Sequence, residues 1–255
     1  MDLELADRAF LITGGTDGLG LALAETLLGE GARVAVCGRD PQRLDTARAT
    51  LGERSLVVAA DVTREHEFDA FIDQALTTFG RLDGAVNNAG RVAASAVATS
   101  SDAQWREDYE LKVIAALHLS RRVLPALATT RGSILNVLAI SARAPQAGST
   151  PTAASRAAGL ALTKSLAQEA GPLGVRANAL LIGLIESGQW VRRAKEAGVA
   201  LDDFYASLVQ RSSIPLGRLG TAREFADVAA FLLSPRASYV TGVGISVDGG
   251  LSPVI

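Results

Sequence analysis

Apolar residues along this chain come in short dense runs at regular intervals. Seven runs have the length of buried strands: residues 9–13, 33–37, 56–60, 82–86, 133–138, 176–181 and 245–247. Continuous rather than alternating apolarity marks a strand covered on both faces. Between most runs lie segments of helical length and period, among them 66–79, 103–127 and 152–170. Alternating strands and helices predict βαβ units. The expected fold is therefore α/β, a single-domain Rossmann-type doubly wound parallel sheet with helices on both faces. No Pro/Gly/Ser-rich linker or charge run divides residues 1–255, so one domain is expected. Ligands of such sheets bind beyond the C-terminal strand ends, and the residues just after each run carry the functional information.

After the first run comes Thr13-Gly14-Gly15-Thr16-Asp17-Gly18-Leu19-Gly20, which leads into an amphipathic segment. Strand, glycine turn and helix in that order let backbone approach a pyrophosphate, with the helix N-terminus supplying N–H groups and a positive dipole end. A tight turn alone would need no such flanks. After the second run stands Arg39, where Rossmann logic places the adenosine ribose. An arginine there accommodates a 2′-phosphate, which points to NADP rather than NAD. Asp17 is an acid that could pair with Arg39 and blunt this preference, and a solvated loop arginine is the plain alternative.

The spacing T-G-x-x-x-G-x-G, with Asn87-Asn88-Ala89-Gly90 after the fourth run, resembles the short-chain dehydrogenase/reductase family over nearly the whole chain. The resemblance implies a cofactor site made of Gly14, Thr16, Asp17, Gly18, Leu19, Arg39, Asp61, Val62, Asn88, Ala89, Gly90, Arg156, Gly183, Ile185 and Ser187. It gives Asp61 a hydrogen bond to the adenine amino group; a helix N-cap is the other reading of that residue. It gives Ser187 a contact to the nicotinamide carboxamide, and makes residues 187–213 a variable lid over the substrate. Arg192 and Arg193 in this lid could meet an acidic substrate, but a solvated helix face is the favoured reading. The segments around Pro215, Tyr239 and Asp248 resemble the family's closing strand and subunit contacts. The helices 103–127 and 152–170 are the family's main subunit contact, so a homotetramer is expected.

The family's chemistry rests on an asparagine, a serine, a tyrosine and a lysine. In register with 156–167 and with His118-Leu119-Ser120, those positions hold Lys112, Ala139, Thr152 and Arg156. In the family the lysine lowers the pKa of the tyrosine phenol, which exchanges the proton. An aliphatic hydroxyl has no useful acidity near pH 7, whereas a phenol lies near pKa ~10. Ala139 cannot donate a hydrogen bond, and Arg156 keeps its proton while still able to grip ribose hydroxyls. The candidate catalytic residues are thus Lys112, Thr152 and Arg156. Lys112 is one of three lysines against 22 arginines, and burial beside Arg156 would lower its pKa toward a working range. A surface or interface lysine is the alternative. On this reading Lys112 meets the substrate itself, and Thr152→Val costs little. Tyr109 reads as a packing residue, Ser141 and Ser149 as loop residues bordering the substrate, and His66 and His118 as helix residues away from the cleft.

Composition narrows the remaining choices. A formal net charge of −2 gives no reason to expect nucleic acid or an anionic membrane as partner. The single cysteine, Cys37, allows no internal disulfide and suits the cytoplasm. No apolar run approaches the ~20 residues of a membrane span. No Cys/His cluster suggests a metal. The first expectation is an NAD(P)(H)-dependent oxidoreductase acting on a small alcohol or carbonyl through an altered site. Two alternatives stay open: a non-catalytic cofactor-binding sensor or partner subunit, and a non-redox isomerase or lyase using the same pocket.

Overall fold

In the computed structural model, which describes residues 1–255, the seven apolar runs become the seven strands of one parallel sheet. The chain runs β1 (Ala9–Thr13), α1 (Gly18–Gly29), β2 (Arg33–Gly38), α2 (Pro41–Leu51), β3 (Ser55–Ala59), α3 (Glu65–Phe79) and β4 (Gly84–Asn87). It continues with β5 (Ala94–Ser95), α4 (Asp102–Tyr109), α5 (Ala115–Thr130), β6 (Ser133–Ala139), β7 (Thr150–Pro151) and α6 (Thr152–Ala170). It closes with β8 (Arg176–Ile182), α7 (Gly188–Ala197), α8 (Leu201–Ser212), α9 (Ala222–Leu233) and β9 (Gly244–Val247). The sheet order is β3-β2-β1-β4-β6-β8-β9, while β5 and β7 form a separate two-stranded ribbon that the sequence pattern did not indicate.

The pleat explains the continuous apolar runs. Phe10 and Ile12 of β1 enter one core with α1 and α9. Leu11 between them enters the opposite core with α3, α5 and α6. Both faces are thus covered, as a parallel sheet requires. The strand order reverses between β1 and β4, so the connections leaving these two strands diverge and open a crevice at their C-terminal ends.

Helix starts follow local chemistry. Pro41 opens α2, and the Asp40 carboxylate accepts from Arg43 N at 3.0 Å. Ser101 with Gln104 and Thr221 with Glu224 form capping boxes for α4 and α9. The long helix predicted over 103–127 is not continuous. A π-helical turn, Glu110–Ile114, joins α4 to α5. Such turns re-aim the side chains they carry and gather at functional sites; this one carries Lys112.

Arg176 closes the C-terminus of α9 from inside the molecule. It is 9% exposed, and its guanidinium donates to the carbonyls of Leu232 (2.7 Å), Leu233 (3.4 Å) and Ser234 (3.0 Å). Burial pushes its pKa down to about 10, which leaves it charged at neutral pH among carbonyls rather than carboxylates. Arg176→Leu should leave those acceptors unpaired and lower stability by about 3 kcal/mol. Urea unfolding checks this, and a loss below about 0.5 kcal/mol, the range of an ordinary surface substitution, would overturn it.

Candidate active site

The crevice at the strand ends is a cleft of about 980 Å³, at the upper end of small-molecule pockets. Every residue assigned to the cofactor from sequence lines it, from Gly14 and Thr16 to Gly183, Ile185 and Ser187. Ala139 and Thr152 line it as well. Ser141, Ser149, Tyr109, His66 and His118 do not. Ser149 donates to Gln146 O at 2.6 Å, Tyr109 stacks on Trp105, and His118 meets Asp69 at 3.0 Å.

Thr13 ties the glycine turn to the segment after β4. Its hydroxyl accepts from the backbone N–H of Asn88 and of Ala89, each at 3.0 Å, and donates to Val86 O at 3.2 Å. Asn88 answers by donating to Thr13 O at 2.9 Å and Gly14 O at 3.0 Å. Gly14 has φ +65°, and a Cβ there would stand 3.0 Å from the backbone of Ala89. Asp17 precedes α1 without capping it through its side chain, so the first-turn N–H groups have no side-chain acceptor. A left-handed glycine turn, a close second backbone segment and an uncapped helix start fit a dinucleotide pyrophosphate.

At the adenosine end the structure corrects two expectations. Asp17 does not pair with Arg39. It meets Arg43 at 3.4 Å and Arg192 of α7 at 3.2 Å, while Arg39 reaches Asp61 at 3.0 Å. The reason is placement: Asp17 lies over the lid, and Arg39 lies beside the end of β3. Asp61 does not cap α3, whose N-cap position is Arg64. Its carboxylate instead accepts from Thr63 N at 3.0 Å and Thr63 Oγ1 at 2.8 Å. Burial works against its charge, but the bonds from Thr63 and Arg39 outweigh this and hold it below the usual carboxylate range. Arg192 thus lines the cleft while remaining exposed, as the solvated-face reading expects, and Arg193 lies over the Trp190 ring. Arg43 and Arg192 were not singled out from sequence as neighbours of the glycine turn, because only the fold brings α2 and α7 to it.

The strongest electrostatics lie where β6, the π turn and α6 meet. Lys112 is buried, 4% exposed, which excludes the surface-lysine reading. Its Nζ donates to the carboxylate of Asp108, one turn earlier, and to Thr152 Oγ1 at 2.9 Å. Asp108 is equally buried and also accepts from Ser155 Oγ at 2.5 Å. Thr152 Oγ1 accepts a further bond from Ala93 N at 2.9 Å. Arg156, one turn into α6, donates to Val137 O at 2.6 Å and lies against Gly90, where a Cβ would stand 2.8 Å from its Nη2. Burial and then Arg156 lower the Lys112 pKa to about 8, against the raising effect of Asp108. Burial likewise brings Arg156 down to about 10.

This geometry corrects the expectation that Lys112 meets the substrate itself. Its side chain is fully enclosed, and the Thr152 hydroxyl stands between it and the cleft. A hydroxyl has two acceptor positions and one proton. Lys112 and Ala93 take both acceptor positions, so the proton is left to donate. Asp108 and Ser155 were missed from sequence. A carboxylate four residues before a helical lysine was the available signal for Asp108; Ser155 carried none.

Residues 14–252 match the sequence family described as enoyl-(acyl carrier protein) reductases. The chain is 32% identical over 252 residues to the 3-oxoacyl-(acyl-carrier-protein) reductase FabG of Vibrio cholerae, covering 98% of this chain and 99% of that one. Among solved structures it resembles the NADPH-bound short chain oxidoreductase of Pseudomonas aeruginosa PAO1, described as containing an atypical catalytic center. The TM-score there is 0.91 at 40% identity, over 97% of this chain and 98% of the other. It also resembles the L-sorbose reductase of Gluconobacter frateurii complexed with NADPH and L-sorbose, with TM-score 0.94 and 31% identity over 100% of both chains.

The Thr13 bonds yield a stability test. Thr13→Val keeps the shape of the buried side chain but strips an acceptor from two N–H groups. The variant should lose roughly 2–3 kcal/mol, since an unsatisfied buried donor costs about 1–3 kcal/mol. Denaturant unfolding measures this, and a variant as stable as the unaltered protein would show that Thr13 does not hold the two segments together.

Proposed function

The chain belongs to the short-chain dehydrogenase/reductase family, and on that footing we propose that it is an NADP(H)-dependent oxidoreductase acting on a small carbonyl or alcohol through an altered proton path. The observation that carries the reading is the saturated acceptor side of Thr152, with a buried lysine behind it, which leaves the hydroxyl proton free to be donated. When bound, the cofactor supplies or accepts the hydride at the carbonyl carbon. Gly14, Gly18 and the start of α1 would hold its pyrophosphate, Arg39 its 2′-phosphate, Arg156 its nicotinamide ribose and Ser187 its carboxamide.

In the reducing direction the carbonyl oxygen becomes an alkoxide as the carbon takes the hydride. Thr152 gives its hydroxyl proton to that oxygen and receives one from the Lys112 ammonium. Lys112 is left as a neutral amine, later recharged from the cleft back through the Thr152 hydroxyl. The threonine thus needs no acidity of its own, because its proton leaves as another arrives. Ala139 supplies no hydrogen bond to the carbonyl, so the developing charge rests on Thr152 and the cations behind it. In the other direction every transfer reverses, and Lys112 must start neutral. Assembly as a homotetramer through α4–α5 and α6, and a cytoplasmic location, belong to the same reading. No helix is long and apolar enough to cross a membrane.

NADPH consumption against a 3-oxoacyl thioester and L-sorbose tests the activity, since relatives are named for such substrates. Lys112→Ala and Thr152→Val should each cut turnover about a hundredfold or more, the scale of lost general acid catalysis, while NADPH still binds. Carbonyl reduction needs the charged lysine, so its rate should hold below pH 8 and fall as pH rises through about 8. Alcohol oxidation should rise through the same range. A Thr152→Val enzyme of normal rate would break the proposed path.

The cofactor preference has its own check. Arg39 faces the cleft 64% exposed at its side chain and tied only to Asp61. Arg39→Ala should weaken NADPH binding about tenfold more than NADH binding, the loss of one charge-assisted contact. Fluorescence titration of both cofactors decides it, and tighter NADH binding by the unaltered protein would refute the preference.

A further inference from the structure

The proposed proton path begins at an ammonium fully enclosed by the protein, and something must keep it charged and aimed. Two elements close on it. The π turn rotates Lys112 inward, toward the start of α6. From α4, on the same helical face, Asp108 stands one turn before it. Asp108 is itself 2% exposed and touches no arginine through a hydrogen bond or ion pair. Its two oxygens divide the work. Oδ1 takes the Lys112 ammonium and Oδ2 takes the Ser155 hydroxyl at 2.5 Å. Ser155, 1% exposed, also has Thr152 O within 3.0 Å, but its one proton goes to the nearer carboxylate oxygen. Asp108, Lys112, Thr152 and Ser155 therefore form a buried chain of hydrogen bonds, with Ser155 and Lys112 both donating to Asp108 and Lys112 donating on to Thr152, that joins α4 and the π turn to the first turn of α6.

We infer that Asp108 is the positioning residue of this site: clamped by Ser155, its carboxylate holds the Lys112 ammonium in line with the Thr152 hydroxyl. This rests on the proposed function for its consequence, though not for its geometry. Asp108 acts through Lys112 and has no contact with the cleft. Its placement solves a specific problem. Every other charged group facing Lys112 is a cation: Arg156 from α6, and Arg91 from the segment after β4, itself held by Glu107 at 2.7 Å. Burial and these two cations drive the proton off, and Asp108 alone opposes them. Without it the balance at the amine would shift further toward the neutral form, which has no proton to pass on. A neutral amide at 108 could still fill the space and still meet Ser155, but it could not hold the charge.

Three lysines in the whole chain make the test direct. Lysine labelled with 13C and 15N gives three side-chain signals, and the one lost in Lys112→Arg belongs to Lys112. In the unaltered full-length protein this signal should titrate near pH 8. In Asp108→Asn the midpoint should fall by about one pH unit or more. Asp108→Glu should restore it to within about half a unit. The falling limb of NADPH-dependent reduction should move with the midpoint in each variant, which a purely structural role for Asp108 would not produce. A folded Asp108→Asn protein with an unmoved midpoint overturns the inference. Should that variant fail to fold, Ser155→Ala decides: loss of the clamp should lower the midpoint by a few tenths of a unit, and an unmoved midpoint counts against Asp108. The two readings fail separately. If Lys112 titrates as stated yet Lys112→Ala turns over normally, the proposed proton path falls while the role of Asp108 in holding the charge stands.

Discussion

A lysine ammonium with no solvent contact must have its charge answered inside the protein, because desolvation would otherwise remove the proton. Much of the local architecture follows from Lys112 being in that position. The π turn exists where a regular helix would have carried residue 112 to another face. Asp108 is buried although carboxylates seldom are. Ser155 faces inward from α6 to complete the carboxylate, and Thr152 opens that helix with its hydroxyl toward the cleft. Remove the buried charge and none of these features has a physical reason to occur together.

The cofactor half obeys a different constraint, set by backbone rather than charge. Reversal of strand order between β1 and β4 separates the chains leaving them, and the cleft is the space this creates. Thr13 and Asn88 bridge that space at its narrow end. Each uses side-chain groups to satisfy backbone groups of the other segment, so the glycine turn and the segment after β4 hold a fixed separation. The lid meets this frame through Asp17, whose carboxylate reaches Arg192 from the glycine turn itself. Charge enters this half of the site only at its rim, where Arg39, Arg43 and Arg192 each rest on a carboxylate.

These two constraints differ in how far they can be read from sequence. A parallel sheet buried on both faces writes itself as apolar runs, and β1 and α6 lie at residues 9–13 and 152–170 as the pattern indicates. The glycine turn is local, so its residues and role were legible together. The π turn was not, since an inserted residue leaves the helical period intact on either side. Pairing across the fold was also illegible. Nothing between residues 17 and 192 announces that they touch, and Asp61 emerges as the partner of Arg39, in place of Asp17, only once the ends of β2 and β3 lie side by side. Lys112 was identifiable as an oddity of position, but its retreat behind Thr152 depends on where α6 begins.

The departures from the family pattern make chemical sense as a set. In the family that the chain resembles, a lysine beside the tyrosine lowers the phenol pKa by stabilising its anion. On the proposed path the acid is a cation. A neighbouring positive charge lowers its pKa too, by disfavouring the protonated form. Arg156 at the lysine position therefore pushes either acid in the same direction. Yet a lysine there would titrate together with Lys112, and the two would share their protons. An arginine keeps its charge while Lys112 loses and regains one, so the push is constant through the catalytic cycle. Threonine then suffices where the phenol stood, because the hydroxyl conducts a proton rather than generating one. On the proposed proton path the changes at 112, 152 and 156 would depend on one another, since together they would move the acid from the cleft wall to a buried ammonium behind it.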